Sequence, residues 1–453
     1  MKKILGLCTA LCLCLVLLPA AALAAGGATV NVGSVALTGS KETPAYAKTD
    51  ATSGEVTVLE TVPTDDSWNI KWDGETLTLR NAAIKQAKEY TYTIQEVENK
   101  EKIAVYLASG NMNLVLVGKN TVEAPGSKSV SSCGIHVGGS LTIRGQDNGS
   151  LSVSGGDSSG SSYGIHAYDT ITINSGSVNA TSGEAQGDSC GIFAEDPNNS
   201  DRNNVTINGG TVTATAGNAV WSGWYSCGIR VEGPITINGG TVNATGKTSS
   251  SRSSYGIYAK RSVIIKGGVI TATGGTATSG NSSGIYAGTD SGEFQVTIVD
   301  ATVTATGGAA DTGGSYGILA EIEDTGTSTV TIDGNSVVRA NMTDTEGDDD
   351  EPISGKTVEK ESGIIFENGV DTVYGDVTLR EDLTVAAGET LTIPEDAALT
   401  IPEGTTLTNN GRIQNDGNLQ VKGEITGNAV TGSGTIQGSG QWPGNPEPVP
   451  LPP

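Results

Sequence analysis

Ile235-Thr236-Ile237-Asn238-Gly239-Gly240-Thr241-Val242-Asn243-Ala244 contains two short strands and the turn between them. In each strand an aliphatic residue alternates with a polar one, so period-two geometry gives each an apolar face and a polar face. Asn238-Gly239-Gly240 is turn chemistry. Closely similar text runs from Ile171 to Ala180, from Val205 to Ala214 and from Val263 to Ala272, and Thr302-Val303-Thr304-Ala305 repeats the last strand. A Gly-Ile step precedes each copy: Gly134-Ile135, Gly164-Ile165, Gly191-Ile192, Gly228-Ile229, Gly256-Ile257, Gly284-Ile285, Gly317-Ile318 and Gly363-Ile364. Successive glycines are 30, 27, 37, 28, 28, 33 and 46 residues apart, which is variation in loops around a constant core.

Each unit is therefore three strands and three corners, and alone it cannot bury its Ile/Val/Ala face. Stacking like units about 4.8 Å apart pairs their backbones and builds one aliphatic core. The expected fold is all-β, a right-handed parallel β-helix with three strands per coil, the hand following from the preference of parallel crossovers. An antiparallel sandwich or propeller competes, but neither requires the same side chain at the same place in successive units. Asn174, Asn208 and Asn238 share one turn position, where amides can bond along the stack; Arg144, Lys266, Val299 and Asp333 interrupt the column.

Outward from the repeat, residues 1–25 read as an export signal: Lys2 and Lys3, an apolar run from Ile4 to Leu18, then Ala22 and Ala24 around Leu23. Residues 26–65 form a leader and cap, and Trp68 and Trp72 open the β-helix of 66–380. Residues 381–442 repeat Leu, Ile and Val at shorter intervals, a smaller-turned extension. Residues 443–453 are a Pro-rich spacer. The chain is expected to be secreted, either free outside the cell or associated with the cell surface, without membrane insertion.

Net charge is −24, and −26 without Lys2 and Lys3 (26 − 50, then 24 − 50). Such a surface disfavours nucleic acid and tolerates neutral ligands or divalent cations. Beyond the signal, Cys133, Cys190 and Cys227 are an odd set, so no closed disulfide framework exists. Cys190 and Cys227 fall in adjacent coils, where a disulfide and buried inward-pointing thiols are both open.

The residue after each Ile forms a column: His136, His166, Phe193, Arg230, Tyr258, Tyr286, Leu319 and Ile365. Rings held in register beside a bare glycine groove would stack on sugar faces, which makes His136, His166, Phe193, Arg230, Tyr258 and Tyr286 candidate carbohydrate-binding residues. The alternative is that these rings pack beneath the Ser/Gly/Thr loops at 156–162, 183–189, 216–226 and 246–254. Asp344, Glu346, Asp348, Asp349 and Asp350 offer oxygen ligands to calcium in an acidic loop without EF-hand spacing.

Catalysis by a β-helix needs clustered carboxylates, or a cation or Arg with a base, facing one groove. The columns instead repeat Thr, Asn and Gly, while acids such as Glu195 and Asp196 sit at turns, so no catalytic set is expected.

Trp72-Asp73-Gly74, Thr76-Leu77-Thr78-Leu79 and the repeated Gly-Ile and Ile-Thr-Ile-Asn-Gly-Gly-Thr-Val units, over about 60–380, resemble the carbohydrate-binding β-helix proteins secreted by Gram-positive anaerobes, a family related in fold to pectate lyases. The resemblance implies binding, with calcium, of cellulose-like and acidic polysaccharides without cleavage. Three functions stay open: a polysaccharide- or surface-glycan-binding protein, a structural or adhesive stalk with a protein partner, and a polysaccharide lyase or hydrolase.

Overall fold

The structure is a computed structural model that describes residues 27–445, apart from 65–66, 95–96, 196–202, 222, 344–350 and 368. The described residues are all-β, with no helix. The export signal, most of the Pro-rich tail and the acidic loop residues Asp344, Glu346, Asp348, Asp349 and Asp350 lie outside them.

Three parallel ladders run through the repeat, each strand pairing with its equivalent one unit later. In the first, Ile135, Ile165, Ile192, Ile229, Ile257, Ile285 and Ile318 are successive register partners. In the second, Ile143, Ile173, Ile207, Ile237, Ile265 and Ile298 play that part. In the third, Val153 is followed by Ala180, Ala214, Ala244, Ala272, Ala305 and Ala340. All these residues are buried in one continuous core. The alternation read from sequence is thus the inside and outside of three sheets, and no repeat strand forms a hairpin within its unit. Asn208 donates to Asn174 and Asn238 to Asn208, both at 2.8 Å.

Two features of the ladders differ from the sequence expectation. Gly363-Ile364 does not continue the first ladder: Gly363–Glu367 pairs with Val337–Asn341 at the end of the third. The unit's first-ladder strand is Ile353–Ser354, where Ile353 partners Ile318, so Ile365 leaves the column that follows the isoleucines. The glycine column is also no open groove. A Cβ on Gly228 would lie 2.4 Å from the Thr245 amide nitrogen and 2.7 Å from the Gly256 carbonyl oxygen, so these buried glycines press their bare Cα atoms against third-ladder backbone. That close approach breaks period two: the residue before each glycine faces outward although the isoleucine after it faces inward. Cys133, Cys190 and Cys227 are accordingly free, buried thiols in an outer cluster with Phe193, Tyr255 and Tyr258, not inward-pointing core residues.

The loops between third and first ladders stack as well, through parallel bridges joining Ser127, Ser158, Ala185, Ala219, Ser249, Ala277 and Ala310. At the following corner a buried serine bonds in two directions. Ser254 Oγ donates to the Lys247 carbonyl of its own unit (2.5 Å) and accepts from the Gly275 amide of the next (2.8 Å). Ser162, Ser189, Ser226 and Ser282 do the same. These hydroxyls satisfy corner backbone groups that the ladders leave over.

Antiparallel strands close the N-terminal end. Ala28–Val32 pairs with Val35–Gly39 and with Val97–Leu107, while Ile70–Trp72 pairs with Ala45–Thr49 and Thr76–Arg80. Trp72 is fully buried, and its indole N–H donates to the Ala28 carbonyl at 2.7 Å. They cover the free edge of the first unit, which would otherwise template association.

After Gly363–Glu367 the chain turns back through Val370–Tyr374, then builds three shorter parallel ladders around a second core. Leu383 and Leu407 are partners 24 residues apart, Leu407 and Ile425 18 apart. Asp371 sits buried near the junction, both carboxylate oxygens lacking a hydrogen-bond partner among the described residues. Burial, with the charge of Glu389 and against that of Arg339, pushes its pKa up to about 6.

Ser254→Ala leaves a carbonyl and an amide unpaired in a buried corner and is expected to cost about 1–3 kcal/mol in denaturant melts, against under about 0.5 kcal/mol for exposed Ser152→Ala. Because the folded pKa of Asp371 lies above its unfolded value, the stability it permits is fully present below the ordinary carboxylate pKa and is lost as pH rises through 6. Asp371→Asn therefore exceeds the wild type by roughly 1.5 kcal/mol at pH 5 and by roughly 3 kcal/mol at pH 8, read as the difference between paired melts. Equal stability at both pH values would contradict this account.

Candidate functional site

First-ladder strands carry the predicted rings on their outer side. His136 partners His166, followed by Phe193, Arg230, Tyr258, Tyr286 and Leu319, so all six candidate residues stand in one row. Strand spacing fixes how such rings meet. His166 and Phe193 stack at 5.1 Å and 12°, Tyr258 and Tyr286 at 5.3 Å and 5°. The Arg230 guanidinium lies 4.8 Å from the centroids of both Phe193 and Tyr225. Rings so close cover one another: none of the five is more than 8 % exposed. The row is a wall with its edges showing, so of the two readings the sequence left open it is nearer to packed rings than to an open strip.

Two residues beyond each ring, at or just past the strand end, runs a second column of Tyr168, Glu195, Glu232, Lys260, Gly288 and Glu321. The rings, this column and the stacked loops enclose two adjoining clefts that share Arg230 and Glu232. One, of about 280 Å³, is lined by Tyr163, His166, Tyr168, Phe193, Glu195 and Trp224 among others. The other, of about 470 Å³, is lined by Tyr225, Arg252, Tyr258, Lys260, Asn281 and Tyr286 among others. Trp221 and Trp224, 58 % and 44 % exposed, belong to the 216–226 loop, and Trp224 forms part of the rim.

Most charges in the clefts are matched in place, while Arg252 donates to the Gly223 carbonyl at 3.0 Å and lies 4.2 Å from the Tyr225 ring centroid. Arg230 bonds Asp188 and, at 2.7 Å, Glu232, which also meets Lys260 at 3.3 Å. His166 Nε2 lies 3.2 Å from Glu195, and His136 Nδ1 lies 2.7 Å from Glu101, with both members of the second pair buried. Burial lowers the His136 pKa against the opposing pull of Glu101. Burial would raise Glu195, but the His166 hydrogen bond and the charges of His166 and Arg230 outweigh it and hold its carboxyl below the usual range. An acid held ionised in this way is poorly suited to donate a proton to a leaving group.

The sequence pointed to the ring column but missed Glu101, Asp188, Glu232, Tyr225, Trp224 and Asn281. Carrying the alternation two residues past each ring would have found Glu195, Glu232 and Glu321 in one column; Glu195 and Glu232 do lie just past strand ends, as expected, but the turns they open are stacked in register. Asp188, Trp224 and Tyr225 come from loops of unequal length and had no register by which to be placed.

A larger cavity, about 570 Å³, lies where the third ladder meets the C-terminal units, lined by Val269, Thr302, Thr304, Arg339 and Arg380 among others. Its arginines are engaged, Arg339 with Glu389 and Arg380 with Asp300, both at 2.8 Å. It has no aromatic lining and offers a sugar ring no flat face.

A family model described as carbohydrate-binding domain-containing protein matches residues 69–318, more than half of the chain and the part that carries both ring-lined clefts. No curated protein and no solved structure matches.

Proposed function

Because the chain belongs to the family of carbohydrate-binding domain-containing proteins, we propose that it is an exported, non-catalytic polysaccharide-binding protein whose glycan lies in the paired clefts of the first ladder. One observation carries this most: the ring column and the column of ion-paired polar groups line the same clefts inside the matched segment. Ring edges and the exposed Trp224 supply C–H stacking surface, while Glu232, Lys260 and Asn281 supply hydroxyl partners already fixed by their neighbours. Pre-formed polar partners of this kind cost little reorganisation on binding.

In this proposal the three ladders are the faces of one right-handed β-helix, since each strand reaches its parallel partner only by a crossover through the other two ladders. Its length provides room along one axis for a linear polymer. Export rests on the N-terminal signal text, and calcium is assigned to the acidic residues Asp344, Glu346, Asp348, Asp349 and Asp350.

Affinity electrophoresis against soluble polysaccharides tests the site. Trp224→Ala weakens retention about tenfold, the loss of one stacking contact, and Val269→Ala in the other cavity leaves it unchanged. The reverse pattern moves the site to the third-ladder cavity. Running the gels with EGTA weakens retention where calcium contributes; unchanged retention removes calcium from the proposal. Incubation with pectin, followed by ultraviolet absorbance and reducing-end assay, yields no unsaturated or newly reduced ends, and accumulation of either would make the protein an enzyme.

A further inference from the structure

We propose that Glu101, His136 and His166 form a binding site for a first-row divalent transition ion of the zinc class. The chain has only two histidines in 453 residues, and the fold makes them register partners on neighbouring strands, ring centroids 4.5 Å apart. Glu101, from the preceding strand of the same ladder, reaches His136 Nδ1 at 2.7 Å. One ligand atom from each residue lies within 4.8 Å of the other two, and all three side chains are buried. Tetrahedral zinc with bonds near 2.0–2.1 Å sets ligands about 3.3 Å apart, so closing the triangle takes roughly 1.5 Å at most. Side-chain rotation on rigid strands can supply that.

The donor set selects the class of ion. Two imidazoles and one carboxylate suit zinc and its neighbours, whereas calcium takes oxygen ligands in larger number. An outer carboxylate is also in place: His166 gives Nε2 to Glu195 at 3.2 Å, while Nδ1 is buried with no hydrogen-bond partner among the described residues. With an ion on Nδ1, Glu195 orients the ring from outside, the usual support for a metal-bound histidine. Both Glu101 and His166 line the smaller cleft, so an ion reaches them from solvent and its fourth position opens there. Tyr106 and Tyr168 stand edge-on to His136, at 5.3 and 4.7 Å, and restrict how the ring can turn. The site stands apart from the glycan proposal and can hold if that fails.

The test uses the untagged full-length chain with calcium in excess. Zinc is added stepwise while the imidazole resonances are followed by NMR; with only two histidines, both signals can be watched in the wild type without any variant. The expected result is that the two signals move together and saturate at one equivalent, and that His166→Gln lowers zinc affinity, measured by calorimetry, by at least about tenfold. Signals that stay still, move singly, or drift without saturating overturn the proposal, as does unchanged affinity in a folded His166→Gln. Should that variant fail to fold, the wild-type spectra decide alone.

Discussion

A unit of three short strands has no hydrogen-bond partner within itself, so nearly every ladder bond in the repeat must cross to the unit before or after. That requirement fixes equivalent residues over one another at the strand spacing, about 4.8 Å. Inside, it layers Ile on Ile and Ala on Ala into one core. At the corners it leaves carbonyls and amides that no ladder uses, and the buried serines bond these between units, as the Asn pairs do at another corner. Even the loops are brought into the stack by single parallel bridges. The spacing of the columns is thus a consequence of backbone bonding, and side chains must fit it.

That spacing determines what the outer ring column can do. Flat rings little more than 5 Å apart face one another and shed water, so a row of Phe, Tyr and His becomes a wall. Arg230 is the one permanently charged cation in the row, and a guanidinium between rings is stable there because Asp188 and Glu232 accept its hydrogen bonds. The unequal loops then cover the wall to different depths. Where they part, ring edges, carboxylates and the exposed Trp224 meet solvent together, and this is the surface on which the proposed glycan would lie.

What was legible in the sequence is what repeats at fixed distance within a strand. Ile235, Ile237, Val242 and Ala244 announced their inward faces, and the Gly-Ile steps gave the register of the first ladder. The misplacement of Gly363-Ile364 shows the limit: the same dipeptide starts a third-ladder strand, and only pairing with Val337–Asn341 reveals it. The glycines looked like a groove because a missing side chain reads as empty space, whereas here it is filled by backbone from another ladder. Glu101 was invisible as a partner of His136 because it approaches across strands from an offset position that no column predicts.

Charge adds a further constraint on the ligand. The chain carries −24 overall, and the clefts are lined by Arg230, Arg252 and Lys260 against Glu101, Asp188, Glu195, Glu232 and Glu321, so together they present no net basic field. At physiological salt the Debye length is about 8 Å, which screens distant acids but not those lining a cleft. A neutral glycan meets rings and fixed hydroxyl partners without opposition. An acidic one must bring a cation to lie between its carboxylates and those of the protein, so its retention depends on divalent ions while that of a neutral glycan does not. The dependence of binding on added cation is therefore itself a reading of which class of polymer the clefts accept.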